Sequence, residues 1–449
     1  MESITFLQNF ANTNWKNILT WLEDKHKIIS PNASNIYNSC DIRFSGFKIA
    51  NVDCNLFPAG FKNVSESGIL RSVEQLKQFV ETKKQNTTLQ PDAKNVIIVS
   101  ESHTRNIPYL HGVLKLSNIF EQAGFNVRLA TFDLKKFKVK FGGQVIEVHK
   151  LLNKDGILLL ECEGYKNEHT NALVNQAGDG EVIFETCPET GKQIIVSKNG
   201  KIPFVANFIV INNDMTAGRP LVLQNANIQT FPSVNLGWHS RKKAGHFVKY
   251  QQIVEQFTTS FNIDPWLFNA NFTTCENVDI KDGIGLESLA QAIEQITKAT
   301  TEKYKQYEIK MEAKTYIKAN AGTYGMGVMM INDPEEVMNL NKSARSKLDS
   351  IKAGVKNTSF LVQEGVPSII NVEGSPAEIV SYGFNLTPCD FFYRYHPDKD
   401  GNNSLNAPGA KFVNLNNFNS LFTENTKQAC DLKLAFIASS LAFLACGLE

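Results

Sequence analysis

The run Lys318-Ala-Asn-Ala-Gly-Thr-Tyr-Gly-Met-Gly327 constrains this chain more than any other segment. Strand-forming residues flank it, Lys314–Ala319 before and Val328–Ile331 after, so Gly322, Gly325 and Gly327 fall in a loop between two strands. Lacking Cβ atoms, such a loop lets backbone N–H groups close on an anion, and Lys318 on the first strand can reach a phosphate. No Gly-Lys-Ser/Thr and no helix follows, which excludes a P-loop and a dinucleotide fingerprint. A plain hairpin with a flexible glycine turn has the same local pattern, so the surrounding segments must decide.

Composition narrows the class. Over 449 residues, 46 Lys plus Arg face 45 Asp plus Glu, which removes the electrostatic case for binding nucleic acid or an anionic membrane. The eight cysteines are scattered with no C-x-x-C pair, so neither a disulfide scaffold nor a structural zinc site is expected. The amino-terminal residues lack a secretory pattern, and free thiols suit a reducing compartment, giving a cytoplasmic expectation. The apolar run Leu434–Cys446 is broken by Ser439-Ser440 and is too short to span a bilayer, so it reads as a buried helix.

The elements suggest an α/β protein with α+β lobes. Asn95–Ser100 reads as a strand, Pro108–Gln122 as a helix closed by Gly124, and Phe125–Ala130 as the next strand, a strand-helix-strand unit whose ligands collect at strand carboxyl ends. Phe204–Ile211 reads as one more strand running out into Asn212-Asn-Asp-Met-Thr-Ala-Gly218. Short alternating runs over about 155–200 read as a β-hairpin insertion, and Asn51–Phe61 as a long loop. Asp264-Pro-Trp266 opens a helix, and the basic cluster Trp238–His246 precedes another, with Arg241, Lys242 and Lys243 read as a solvated face. Three units follow: an N-terminal substrate-binding region 1–235, a helical region and first nucleotide lobe 236–365, and a second lobe with the C-terminal helix 366–449.

A strand-loop-strand flap led by Lys318, then a strand ending Gln363-Glu364-Gly-Val366, then paired strands carrying Arg394, then Asn406, resembles the order of parts in ATP-grasp enzymes. That resemblance implies ATP held by Lys318, by Gly322, Thr323, Tyr324, Gly325 and Gly327 of the flap, and by Gln363, Glu364 and Val366 at the hinge. It implies that Arg394 touches the transferred phosphoryl group, and that Asn406 holds Mg²⁺ with Glu378 as a second choice.

Longer blocks make the resemblance specific. Val52–Phe61, Glu101-Ser-His-Thr-Arg-Asn106, Asn212–Gly218, Gly237–Lys243, Ile263–Trp266, Lys318–Gly327 and Leu405-Asn-Ala-Pro-Gly409 occur in an order similar to the proteobacterial glutamate-cysteine ligase family of the Thiobacillus ferrooxidans type. Two departures stand out: the family's loop begins Lys-Ala-Asp-Ala where this chain has Asn320, and its Glu-Asn-Leu is Asn403-Ser404-Leu405 here. The resemblance implies ligation of glutamate to cysteine through an acyl phosphate, with ATP and Mg²⁺. Arg105 then suits the glutamate α-carboxylate, and Asp53 or Asp214, with Asn213 beside it, an ammonium group. His103 would orient substrate, deprotonate the amine or cap the following helix. A homo-oligomer is compatible with this reading. So are a ligase of the same fold with other amino acids and a non-catalytic nucleotide-binding protein.

Overall fold

The computed structural model describes residues 2–102, 106–132, 137–141, 144–154, 156–161, 182–186, 193–197, 203–321, 327–348, 357–415, 418–424 and 426–449. The expectations at His103, Arg105, Gly322, Thr323, Tyr324 and Gly325 lie outside the described residues.

A six-stranded sheet in the order Gln229–Phe231, Phe208–Asn212, Asn95–Ser100, Asn126–Thr131, Gln144–Lys150, Phe137–Phe141 is parallel except at its last pair. Its apolar runs are unbroken because both faces are covered: Val96 and Ile98 enter one core, while Ile97 and Val99 enter another. The expected strand Phe204–Ile211 is two strands, because the Asn207 side chain accepts from the Lys94 and Asn95 amides at 2.9 and 2.7 Å and turns the chain. Pro203–Val205 pairs with Ile157–Glu161 instead, and Val182–Thr186 forms a hairpin with Gln193–Ser197.

A second, antiparallel sheet runs Ile49–Asn55, Tyr37–Phe44, Ser375–Phe384, Thr387–Tyr395, Lys411–Asn414, with Asn371–Val372 added beside Ser375. The loop expected over Asn51–Phe61 is therefore half strand, and the division at 235 and 365 cuts through this sheet. Alternation sorts its side chains. Cys40, Ile42 and Phe44 face a core built on the C-terminal helix Lys427–Cys446, while Asp41 and Arg43 face the other way. That helix is long and apolar enough to cross a membrane, but its apolar window is 94% buried within the protein. It packs against the helices Glu2–Ile29 and Lys243–Phe261.

A third sheet, Phe272–Glu276, Ser359–Glu364, Thr315–Ala319, Val328–Ile331, is antiparallel throughout and backed by the helix Leu286–Gln306. The helix expected after Asp264 is a single 3-10 turn, Pro265–Leu267.

Candidate active site

The third sheet delivers Lys318. It lies on the strand Thr315–Ala319, whose Ala319 amide bonds to the Gly327 carbonyl at 2.9 Å across the mouth of the glycine loop. Gly327 has φ +66°, a backbone that favours glycine. The Lys318 ammonium donates to the Val52 carbonyl at 2.8 Å and to Gln363 Oε1 at 2.7 Å. Burial lowers its pKa to about 8, with Asp53 opposing.

The second sheet supplies the rest from its polar face. Glu378 and Arg394 stand opposite one another in register, as do Asp41 and Asp53. Two carboxylates directly opposite repel, and each has a cation: Arg394 donates to Asp41, and Lys243 to Asp53. Burial pushes Asp41 up to about 6, with Arg394 opposing and Glu378 and Asp53 adding. For Asp53 burial acts upward, but Lys243 and Lys318 outweigh it and bring the group down to about 2. Glu378 accepts from Arg43 Nε at 2.8 Å and from Arg394 Nε and Nη2 at 2.9 and 2.7 Å; burial raises it, and the two guanidinium groups hold it low overall.

These residues line a cleft of about 620 Å³. Lys318, Glu364, Val366, Asp53, Glu378, Arg394 and Asn406 are all on its lining. A second cavity of about 930 Å³ is lined by Tyr109, Asp214 and Tyr382, and it shares Asp41, Arg394 and Asn406 with the first. Ser39, Asp41, Asn55, Tyr382 and Arg394 of the second sheet supply much of its polar lining, and Asp214 and Tyr109 are held in place as the Asp214 amide donates to Glu101 at 2.8 Å and Tyr109 donates to the Asn212 carbonyl at 2.8 Å. Asn213 lines neither cavity, and its amide is spent on Ser100 and Glu101.

One expectation is corrected here. Lys243 and Arg241 are not a solvated face: both are buried, about 5 Å from the Trp238 ring, and ion-paired to Asp53 and Glu449. The Asn320 side chain turns from the cleft, with Oδ1 accepting the Ala244 amide at 2.9 Å and Nδ2 donating to Ser359 at 2.8 Å, so it caps the Lys243–Phe261 helix. The Glu364 carboxylate is likewise committed to the scaffold, bonded to Lys48 at 2.7 Å, the Trp266 indole at 3.0 Å and the Asn271 amide at 2.9 Å.

Sequence reasoning missed Asp41, Arg43 and Lys48. The signal was present in Cys40-Asp-Ile-Arg-Phe44, whose strict alternation marks a half-buried strand with two charges on one face.

Comparison with known proteins shows the family. A family model described as glutamate-cysteine ligase matches residues 8–169 and 139–449. A solved structure from Methylobacillus flagellatus KT, assigned as a gamma-glutamylcysteine synthetase, superposes with a TM-score of 0.79 at 26% identity over 99% of this chain and 96% of that one. A D-alanyl-alanine synthetase A from Vibrio cholerae and a glutathione synthetase-like effector from Globodera pallida reach TM-scores of only 0.33 and 0.31, both at 10% identity. They cover 76% and 88% of this chain and 78% and 82% of their own. No curated protein matches. The protein is an enzyme, a ligase acting on small charged molecules and using ATP. It belongs to the glutamate-cysteine ligase family, whose reaction joins glutamate to cysteine in glutathione biosynthesis.

Proposed function

We propose that this chain is an ATP-grasp-like ligase that activates the γ-carboxylate of glutamate as an acyl phosphate, which the cysteine amine then attacks with release of phosphate. The observation that carries this reading is the meeting of the two cavities at Asp41, Arg394 and Asn406. ATP occupies the cleft of Lys318, Glu364 and Val366, and the amino acids occupy the cavity of Asp214 and Tyr382. A carboxylate is a poor electrophile, so the chemistry needs two anions brought together and their charge neutralised, with no protein nucleophile. Lys318 and Arg394 neutralise the phosphate oxygens. Arg394 lies on both cavities and so reaches the phosphoryl group as it passes from one to the other.

Mg²⁺ prefers oxygen ligands and leaves part of its shell to phosphate and water. The donors fit. Glu378 Oε1 is filled by Arg394, whereas Oε2 accepts one bond and keeps a lone pair. Asn406 offers a carboxamide on the same lining. Asn406 and Glu378 would hold the ion, which when bound would offset phosphate charge. Asp53, tied to Lys243, supports Lys318 more than it offers itself to an ammonium group; Asp214 takes that role in the second cavity. Among the described residues six cysteines are buried and free, which suits a cytoplasmic protein.

The test is a coupled assay with Mg²⁺ and ATP. ADP and phosphate are expected only when glutamate and cysteine are both present, with γ-glutamylcysteine identified by mass. Release of AMP, or turnover independent of either amino acid, contradicts the mechanism.

A further inference from the structure

Behind the cleft, on the helix side of the second sheet, Cys54, His246 and Cys446 bring their ligand-type atoms within 4.8 Å of one another, all buried. Cys54 Sγ and Cys446 Sγ are 3.1 Å apart, and His246 Nδ1 is 3.5 Å from Cys446 Sγ. Glu449 Oε1 stands 2.8 Å from the same His246 nitrogen. Three separate elements converge here: the strand Ile49–Asn55, the helix Lys243–Phe261, and the C-terminal helix with the residues just after it.

We propose that Cys54, Cys446, His246 and Glu449 form a structural site for a thiophilic divalent cation, Zn²⁺ in the first instance. Two thiolates, one imidazole and one carboxylate are a donor set that zinc takes tetrahedrally. Zn–S bonds of about 2.3 Å and Zn–N or Zn–O bonds of about 2.0 Å set ligand atoms about 3.3–3.8 Å apart. The contacts of 2.8, 3.1 and 3.5 Å fall short of that spacing by at most about 0.7 Å.

Neighbouring polar groups hold the donors in place. Asn51 Nδ2 lies 2.9 Å from His246 Nε2, and Nδ1 of the same ring points to Glu449 and Cys446. Arg241 Nη2 donates to Glu449 Oε1 at 2.9 Å and Nη1 to the Cys54 carbonyl at 3.0 Å, fixing both ligands from outside. Two thiolates and a carboxylate carry three negative charges, and a divalent ion with Arg241 carries three positive. Enclosure favours an ion acquired during folding over a redox switch, because Cys54 and Cys446 are only 2% and 1% exposed and no dissolved oxidant reaches them. The site would clamp the strand carrying Asp53 to the helix carrying Lys243, the ion pair in the wall of the nucleotide cleft.

Metal analysis of the purified, reduced full-length protein and Co²⁺ titration of the metal-stripped protein test this. The expected results are about one Zn²⁺ per chain and a thiolate-to-Co²⁺ charge-transfer absorption that Zn²⁺ competes away. In Cys446→Ser the affinity should fall by more than the roughly 100-fold upper cost of losing an outer-shell partner, because a direct ligand is lost. A folded, reduced chain that takes up no Zn²⁺ and develops no such band overturns the proposal. So does a Cys54–Cys446 disulfide, seen as a native mass lower by two hydrogens, and so does a band unchanged in Cys446→Ser. If that variant fails to fold, the presence or absence of the band in the unaltered protein decides.

Discussion

Arg394 and Glu378 face each other across adjacent antiparallel strands, and the guanidinium donates to a single carboxylate oxygen from Nε at 2.9 Å and from Nη2 at 2.7 Å. The same Nη2 also donates to Asp41. Arg43, donating to the other Glu378 oxygen, completes a chain of alternating charge along one face of the sheet. A planar fork held by two carboxylates is fixed in advance, and in the proposed reaction that would be the preorganisation that charge stabilisation of a phosphoryl group requires.

Replacing that fork tests the assignment. Arg394→Lys keeps the charge and loses the geometry, so kcat should fall by about 10²–10³ with a smaller change in KM for ATP. Steady-state kinetics with saturating amino acids checks this. An unchanged kcat would remove Arg394 from the transferring phosphoryl group.

Lys318 should set an alkaline limb. Its pKa is lowered to about 8 by burial, so the free enzyme loses this charge as pH rises through about 8, and phosphate binding weakens above that value. The profile of kcat/KM for ATP, which reports the free enzyme, should therefore decline above about pH 8. Lys318→Arg should carry the limb to higher pH at lower overall activity, and Lys318→Ala should lose about 10²–10³ at every pH. A profile flat to pH 10 in the unaltered protein would contradict this.

The strand Ser359–Glu364 rests on a buried pair. Lys48 Nζ meets Glu364 Oε1 at 2.7 Å and lies 4.1 Å from the centre of the Trp266 ring, with both charged side chains fully enclosed. Lys48→Met leaves the Glu364 carboxylate without its cation and should cost about 3–5 kcal/mol of stability, measured by urea unfolding. Lys48→Met combined with Glu364→Gln should recover most of that loss, because the uncompensated charge is gone.

Asp214 distinguishes the two cavities by position. It lines only the second, where Thr216 Oγ1 donates to Oδ1 at 2.8 Å. Asp214→Asn should raise KM for one amino-acid substrate by about 10- to 100-fold, the value of one charged hydrogen bond, and leave KM for ATP within twofold. Equal rises for all three substrates would point to a folding defect instead.

Local chemistry determined much of this protein. The alternation and glycine placement of Lys314–Ile331 specify a strand, loop and strand, and the unbroken apolar runs at Asn95–Ser100 and Phe208–Asn212 specify a sheet buried on both faces. Lys318 was singled out by the glycine loop beside it, whereas Arg394 and Asn406 were named through the resemblance to ATP-grasp enzymes; the fold sets all three on one cleft. What only the tertiary structure decided involves partners far apart in sequence. Asp41 meets Arg394 across 353 positions, Lys48 meets Glu364 across 316, and Cys54 meets Cys446 across 392. No local pattern encodes such pairs. Charge on a segment such as Trp238–His246 reads as solvated until the fold supplies Asp53 and Glu449, and scattered cysteines read as unrelated until a sheet and two helices bring them together. Burial makes those meetings obligatory, since a charge removed from water needs an opposite charge or a hydrogen-bonding group beside it.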